Sequence, residues 1–128
     1  MADISQIVSN GTTYNIKDAT ARTTAASAPV ASSYLVVEAK SKDNIAQAAG
    51  GGQTVSITIT KSGYTAIGIV GWNISDASSG GGRSGYIRTY GVYINDQTTA
   101  NVAIRNRLAS GTGDAKVKIT VYILYKKN

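Results

Sequence analysis

The chain has 128 residues and a net charge of +6, from 13 basic and 7 acidic side chains, and it contains neither cysteine nor histidine. The absence of cysteine excludes disulfides and thiolate nucleophiles, and the absence of histidine removes the commonest general base and metal ligand, so we expect no cofactor. No apolar stretch approaches the ~18 residues of a membrane span, and the first eleven residues lack the features of a signal peptide. The scattered basic excess is more typical of solubility than of nucleic-acid binding.

A β-hairpin is predicted at the N-terminal end of the chain. Apolar residues alternate weakly on both sides of Asn10-Gly11, a dipeptide that favours a two-residue hairpin turn. Asp18 is placed to cap a short helix over residues 19–28, which ends before the single proline. Because a hairpin and a short helix cannot bury a core alone, residues 1–28 need a partner. That partner is the chain's own body, copies of itself, or a larger assembly.

The rest of the chain, residues 33–128, has a hydrophobic period of two, which is typical of β-strands. Turns rich in Gly, Ser and Asp separate the strands at spacings of about a dozen residues. We therefore predict an all-β domain, an antiparallel β-sandwich of jelly-roll-like type, preceded by the hairpin/helix segment. The six predicted strands are residues 33–40, 53–60, 64–75, 86–95, 99–107 and 115–127, with a loop over 41–53.

The core of this domain can be read from the alternation of apolar residues. The segment 64–75 is apolar on both of its faces, which indicates a central strand covered on each side. Trp72, the only tryptophan, lies in that segment, so we expect it to be buried. The residues predicted to point inward are Val55, Ile57, Ile59, Val102, Ile104, Leu108, Val117, Ile119, Val121 and Ile123.

A second, outward surface also carries bulky residues. Tyr122 and Leu124 lie opposite the core set of the last strand, and both faces of the strand over 86–95 carry aromatic or aliphatic side chains. A monomeric sandwich normally shows water one polar face on each sheet. We therefore expect another copy of the chain to cover this surface, with coverage by loops or by the N-terminal hairpin as the alternative.

No motif of an enzyme is found. The loop over 76–85 is rich in glycine, but Arg83-Ser84-Gly85 leads into a strand, whereas a phosphate-binding loop leads into a helix. Serine and threonine are abundant, yet no histidine is present to activate them. Four aspartates fall at predicted turns, where the carboxylate usually binds the local backbone. These aspartates are Asp43, Asp76, Asp96 and Asp114.

One cluster of side chains is a candidate binding site. Tyr86, Arg88 and Tyr90 share a predicted strand face, and Arg105 and Arg107 are expected nearby. Three interpretations remain open, in order of preference. The residues form an interface with cation–π contacts, they contact a glycan by stacking on sugar rings, or they stack bases and neutralise phosphates.

The N-terminal segment resembles the start of small virion proteins of tailed bacteriophages. The resemblance is carried by "YNIKDATAR", in which the matching residues are Tyr14, Ile16, Lys17, Asp18, Ala19, Ala21 and Arg22. The body, especially "VSITITKSGYTAIGIVGWNIS" and "VKITVYILYKK", is similar to the C-terminal β-domains of tail-fibre, head-fibre and baseplate proteins.

This resemblance implies a structural protein of the virion that forms a homotrimer and contacts other virion proteins. Residues 1–28 would attach to the particle, through Tyr14, Ile16, Lys17, Asp18 and Arg22, and residues 33–128 would project. Because no extended shaft follows residue 28, a head fibre, a capsid decoration protein or a tail or baseplate appendage is expected rather than a long tail fibre.

Host-surface glycans are the expected external ligand, through loops near residues 43–52, 76–85 and 109–114. The alternative is a stand-alone carbohydrate-binding module that uses Tyr86, Arg88 and Tyr90. The candidate ligand or interface residues are Tyr86, Arg88, Tyr90, Arg105, Arg107 and Tyr122.

Overall fold

The structure, a computed structural model, describes residues 6–15 and 34–128. The chain folds as two compact units, Met1–Val30 and Ala31–Asn128.

The first unit contains the predicted hairpin, formed by β1 (Gln6–Ser9) and the antiparallel β2 (Thr12–Asn15). Asn10 and Gly11 connect the strands with φ angles of 50° and 74°. Two successive residues with positive φ make the type I′ turn that matches the twist of a two-stranded ribbon. The hairpin and its turn are therefore confirmed. The helix predicted over 19–28 lies outside the described residues.

The second unit is an all-β sandwich, which confirms the predicted fold class. Its strands form two antiparallel three-stranded sheets. A 3-10 turn at Ser84–Tyr86 lies directly before the strand that begins at Ile87. One sheet has the order β3-β8-β5 and the other the order β4-β7-β6. The strands are β3 (Leu35–Gln47), β4 (Gly52–Thr58), β5 (Tyr64–Asp76), β6 (Ile87–Ile94), β7 (Thr99–Asn106) and β8 (Ala115–Lys127).

The chain crosses between the two sheets at almost every connection. Only β6 and β7 are consecutive strands that pair within one sheet of this unit. Repeated crossing between two sheets is the arrangement of a jelly roll. The central strands are β8 and β7, and β5 lies at an edge of its sheet. The prediction that residues 64–75 form a central strand is therefore wrong, since strand order depends on pairings between residues distant in sequence.

Alternating side chains of both sheets fill the space between them. Every second residue of β8 from Ala115 to Tyr125 is buried, and β4 and β7 supply the opposing layer. The buried hydroxyl of Tyr125 donates a hydrogen bond of 2.6 Å to the carbonyl oxygen of Ile59, which ties β8 to the chain that leaves β4. The predicted inward residues of β4 and β8 are confirmed. In β7, Asn106 is buried, while Leu108, just beyond the strand, is only half-buried.

The first strand of the sandwich is longer than predicted. Residues 41–47, predicted to lie in a loop, continue β3 as far as Gln47. A β-bulge between Lys42 and Ile45 contains Asn44 at a φ of 55°. The inserted residues interrupt the alternation of buried and exposed side chains, so the second half of the strand shows no continuous period in the sequence.

Candidate binding surfaces

Three β-bulges shape the outer surfaces of the sandwich in the same way. In each one a bulky residue is followed by glycine, and the pair opposes a single residue of the neighbouring strand. A bulge of this kind redirects a side chain, and the glycine leaves the surface beside it open. The three pairs are Ile67-Gly68 and Val70-Gly71 in β5 and Tyr90-Gly91 in β6.

The outer face of the β3-β8-β5 sheet carries a group of bulky apolar side chains, beside Lys118, Thr120 and Lys126 of β8. Two of its bulky residues come from β3, two from the bulges of β5 and one from β8. Their side chains are 40–57% exposed, although large apolar side chains are normally inside a small domain. We call this surface the apolar face; its residues are Leu35, Val37, Ile67, Val70 and Tyr122.

Trp72 and Tyr122 of this sheet are both exposed to solvent. The prediction that Trp72 lies in the core is wrong, because this residue is 52% exposed. It pairs with the inward-facing Val121, yet β5 is an edge strand, so no further strand covers its outer side. Tyr122 lies on the outer face, where its ring is 3.7 Å from the position that a Cβ of Gly71 would occupy. It is thus on the opposite sheet from the other candidate ligand residues.

Those other candidates are brought together on β6 and β7. Arg88 and Arg105 are direct cross-strand partners, and the backbone N–H of Arg107 donates to the carbonyl oxygen of Tyr86 at 2.9 Å. Tyr90, at the bulge beside them, is 66% exposed. We call Tyr86, Arg88, Tyr90, Arg105 and Arg107 the Tyr–Arg surface.

The bulge at Tyr90 also explains why the sequence of β6 has apolar residues at both parities. Without the inserted residue, the alternation would place Tyr93 on the face of Ile87. The shift between Thr89 and Gly91 changes this order, so Tyr93 pairs with the outward Asn101. Ile87 and Val92 point inward instead, and the tyrosines of β6 are exposed. Both faces of this strand therefore carry aliphatic or aromatic side chains, as expected, but the bulge exchanges the faces of Val92 and Tyr93 relative to a regular alternation.

Two shallow clefts lie on either side of Tyr90 and Arg105, which line both of them. One cleft has a volume of about 330 Å³ and includes Arg107. The other has a volume of about 370 Å³ and includes Gly52 and Ala103. Gly52 is the β4 partner of Arg105, so no side chain of β4 covers that arginine. The clefts therefore expose the arginine and the tyrosine ring to a ligand from two directions.

The charges of the Tyr–Arg surface are not balanced by carboxylates. Among residues 34–128, the ion pairs join Glu38 to Lys40 and Lys61, and none includes an arginine. Arg88 donates only to the carbonyl oxygens of Gly85 and Ile87, at 2.9 and 3.1 Å. Two arginines opposite one another on a sheet repel each other, which favours the binding of an anion between them.

Three aspartates accept hydrogen bonds at the loops of the sandwich. Asp43 accepts bonds from Ser78 and Asn44, and the Ser78 hydroxyl is the main cause that lowers the pKa of this carboxyl. Hydrogen bonds from Ser84 lower the pKa of Asp76. Those from Thr98 and Thr99 lower the pKa of Asp96 to about 2. Asp43 and Asp76 thus hold the loop after β5, and Asp96 holds the turn after β6.

The loops expected to contact glycans meet at one end of the sandwich. Arg83 of the loop after β5 donates to the carbonyl oxygen of Thr112, and Gly50 lies against Ser110. Residues 43–47 belong to β3, where Asp43 accepts hydrogen bonds from Ser78 of the loop after β5, and Gly50 lies in the turn after Gln47. The first cleft of the Tyr–Arg surface opens at this end, because Gly50 and Leu108 line it.

The predicted attachment residues fall mostly outside the described chain. Tyr14 is in β2, where its backbone pairs with Ile7. Ile16, Lys17, Asp18 and Arg22 lie outside the described residues. In the described ranges, no three His, Cys, Asp or Glu side chains lie close enough together to hold a metal ion. Within the same ranges, no helix has the length and hydrophobicity needed to cross a membrane.

The sequence alone indicates the apolar face only at Tyr122. Val37, Ile67 and Val70 lie in predicted strands whose orientation the sequence leaves open, and only the bulges place the β5 pair outside. A signal is present in the repeated bulky-residue–glycine pairs, since glycine inside a strand often marks a bulge.

No family model, curated protein sequence or solved structure matches the chain.

Proposed function

We propose that the protein is a non-enzymatic structural component of a bacteriophage particle, in which residues 1–28 attach to the virion and residues 33–128 project as a homotrimer. The location is a head fibre, a capsid decoration protein or a tail or baseplate appendage, and the projecting domain contacts glycans of the host surface. The phage assignment is supported by the resemblance of the N-terminal segment and of the β-domain to virion proteins.

The apolar face is the observation that carries the proposal. Five half-exposed side chains present on the order of 400 Å² of apolar surface, about the size of the largest apolar patch of a typical monomer, which is often functional. A standard interface buries about 800 Å² on each partner, of which roughly 450 Å² is non-polar. The face is therefore large enough for the apolar part of one subunit contact, and we assign it to a second copy of this chain.

Sedimentation velocity at micromolar concentration tests this assignment. The full chain should sediment as a trimer, and Val70→Lys should convert it to a monomer because the new charge would be buried at the contact. Thr58→Lys places the same charge on the exposed outer face of the other sheet and should leave the trimer intact. A monomeric wild-type chain, or equal masses for both variants, would remove the proposal.

Incorporation into particles tests the role of the N-terminal segment. Particles of the encoding phage should contain the full-length protein and should lack a version that begins at residue 29. Circular dichroism of the shortened protein provides the control, since the sandwich has its own core and should retain its β-sheet spectrum. Equal incorporation of both versions would show that residues 1–28 are not the anchor.

A second candidate function is a stand-alone carbohydrate-binding module. The Tyr–Arg surface favours it, because exposed tyrosine beside hydrogen-bond donors in a shallow cleft suits a sugar ring. A monomeric protein that binds oligosaccharides and is absent from purified particles would support this function over the first.

A further inference from the structure

We propose that the Tyr–Arg surface binds an acidic glycan, one that carries carboxylate or phosphate groups. This inference rests on the glycan contact in the proposed function and specifies the chemistry of its ligand. It depends on the placement of the arginines, on the carboxylates of the domain and on the shape of the surface between β6 and β7.

The arginines of the domain are grouped on one part of it and are separate from most of its lysines. Four of the five arginines of the chain lie on the loop before β6, on β6 itself or on β7 and the residue after it. The planar guanidinium binds a carboxylate or phosphate through two parallel hydrogen bonds, which a lysine ammonium cannot do. A concentration of arginine on one side thus favours recognition of such groups over general solubility. The four are Arg83, Arg88, Arg105 and Arg107.

Arg88 of β6 and Arg105 of β7 are direct cross-strand partners. Side chains of opposite residues on neighbouring antiparallel strands start about 5 Å apart, so two guanidinium groups can reach one anion. The hydrogen bonds of Arg88 use a single nitrogen, Nη1, which leaves its other donors available in the described structure. Arg105 makes no side-chain hydrogen bond within residues 34–128, and it lines both clefts.

No carboxylate within residues 34–128 forms an ion pair with an arginine. Glu38 binds Lys40 and Lys61, both at 2.6 Å. Asp43, Asp76 and Asp96 accept hydrogen bonds from serine, threonine and backbone groups. Within residues 34–128 the arginine pair therefore has no internal counter-ion, and an external anion would relieve its repulsion.

The ring of Tyr90 is exposed next to two small residues, Gly91 and Ala103. Tyr90 is the most exposed of the large apolar or aromatic side chains described. Gly91 follows it in the strand, and Ala103 is the cross-strand partner of that glycine. The surface beside the ring is therefore low and open, and the apolar face of a sugar ring can lie flat against tyrosine while its acidic group meets Arg105.

The rest of this outer face favours a glycan over single-stranded nucleic acid. The Ser56 hydroxyl donates to Asn101 Oδ1 at 2.8 Å, and Asn101 Nδ2 donates to the Tyr93 hydroxyl at 3.4 Å. This row of neutral groups suits sugar hydroxyls. A nucleic-acid groove instead continues its positive charge along the backbone path. On β6 and β7 themselves the positive charge lies at one end, at Arg88 and Arg105, and Lys42 of β3 donates to the carbonyl oxygen of Ser56.

Calorimetric titration with defined polysaccharides tests the inference. The probes are oligogalacturonate, which carries carboxylates, its methyl ester, which does not, and phosphomannan, which carries phosphates. We expect the protein to bind oligogalacturonate or phosphomannan, and to bind the methyl ester about tenfold more weakly than the acid form, because a charge-assisted hydrogen bond is lost.

Variants locate the site. The double variant Arg88→Gln/Arg105→Gln and the single variant Tyr90→Ala should each weaken binding of the acidic glycan by about tenfold or more. Lys116→Gln/Lys127→Gln is the matched control, because it also removes two exposed positive charges but from β8. It should leave the affinity unchanged. Thermal unfolding of each variant shows whether the fold is retained.

Three results would overturn the inference: no binding of either acidic glycan, equal weakening by the arginine and lysine variants, or tighter binding of oligothymidylate than of both acidic glycans. The last result would assign the surface to nucleic acid. Failure of the proposed function is distinguishable. A monomer that binds an acidic glycan removes the trimer and retains this site, whereas a trimer that binds neither glycan removes this site alone.

Discussion

The outer faces of the two sheets are built alike and differ in chemistry. On β5, bulges followed by glycine expose Ile67 and Val70, and on β6 the same arrangement exposes Tyr90. The first face is completed by aliphatic residues of β3, and the second by arginines of β6 and β7. A bulge therefore decides which residues are outside, while the neighbouring strands decide what the exposed surface can bind.

The largest expected effect separates apolar residues inside the sandwich from those on the apolar face. Ile119 is fully buried, and Ile119→Ala should lower the free energy of unfolding by about 2–5 kcal/mol, because it leaves a cavity. Ile67→Ala removes the same atoms from the bulge and should change the stability of the single domain by less than about 0.5 kcal/mol. Urea unfolding at a concentration where the chain is monomeric measures both. Similar losses would show that Ile67 is part of the core.

A smaller effect on stability is expected at Asn106, the buried last residue of β7. Asn106 Nδ2 donates to the carbonyl oxygen of Gln47, and its Oδ1 accepts from the N–H of Leu108, both at 3.0 Å. Asn106→Ala leaves these groups without a partner and should cost about 1–3 kcal/mol in urea unfolding. Asn101→Ala, an exposed hydrogen-bonded site on the same strand, is the control and should cost less. The reverse order would contradict the support assigned to Asn106.

The repulsion within the Tyr–Arg surface predicts a gain in stability on mutation. Arg105→Gln removes one of two like charges that face each other across β6 and β7. The melting temperature should rise by roughly 1–5 °C at low salt, and the gain should shrink as salt is added. Differential scanning calorimetry measures the change. A fall in melting temperature would mean that Arg105 stabilises the fold and would weaken the case for an unbalanced anion site.

The smallest effect on stability is expected at Glu38 of β3, which forms ion pairs with Lys40 and Lys61. Hydrogen bonds from Lys40, and secondarily from Lys61, lower the pKa of Glu38 from 4.5 to about 2. In that interval the unfolded chain binds more protons than the folded protein, so this contribution to stability is lost as the pH falls from about 4.5 to about 2. The pair is exposed to solvent, so the loss should be small.

Urea midpoints at pH 6 and pH 3 measure this loss. Glu38→Gln should lose less stability than the wild type between the two pH values. An equal loss would show that the ion pairs of Glu38 contribute nothing to the pH dependence.

Local patterns predict much of the fold. The Asn10-Gly11 turn and the alternation in β4 and β8 are visible in the sequence, because each depends on neighbouring residues. The order of strands cannot be predicted in this way, since it depends on pairings between residues distant in sequence. Each bulge also reverses the alternation beyond it, so a regular alternation assigns Tyr93 to the wrong face, and the second half of β3 is predicted as a loop. The prediction for Trp72 fails because hydrophobicity alone does not distinguish an edge strand from a central one.

The candidate site is predictable in part. The five residues of the Tyr–Arg surface can be grouped from the sequence because β6 and β7 are consecutive and form a hairpin. The periodicity of β8 correctly indicates an outward side chain for Tyr122 but not the sheet to which it belongs. Only Tyr122 of the apolar face is predicted to point outward, because the other four residues come from β3 and β5, whose pairing with β8 joins parts of the chain that are far apart in the sequence.

Cosedimentation of a fluorescent acidic glycan with the protein tests most directly the claim that the two outer faces act separately. The wild type should carry the glycan at the mass of a trimer, Val70→Lys should carry it at the mass of a monomer, and Arg88→Gln/Arg105→Gln should sediment as a trimer without it. Loss of the glycan together with the trimer in Val70→Lys, or retention of the glycan by the arginine variant, would contradict the account.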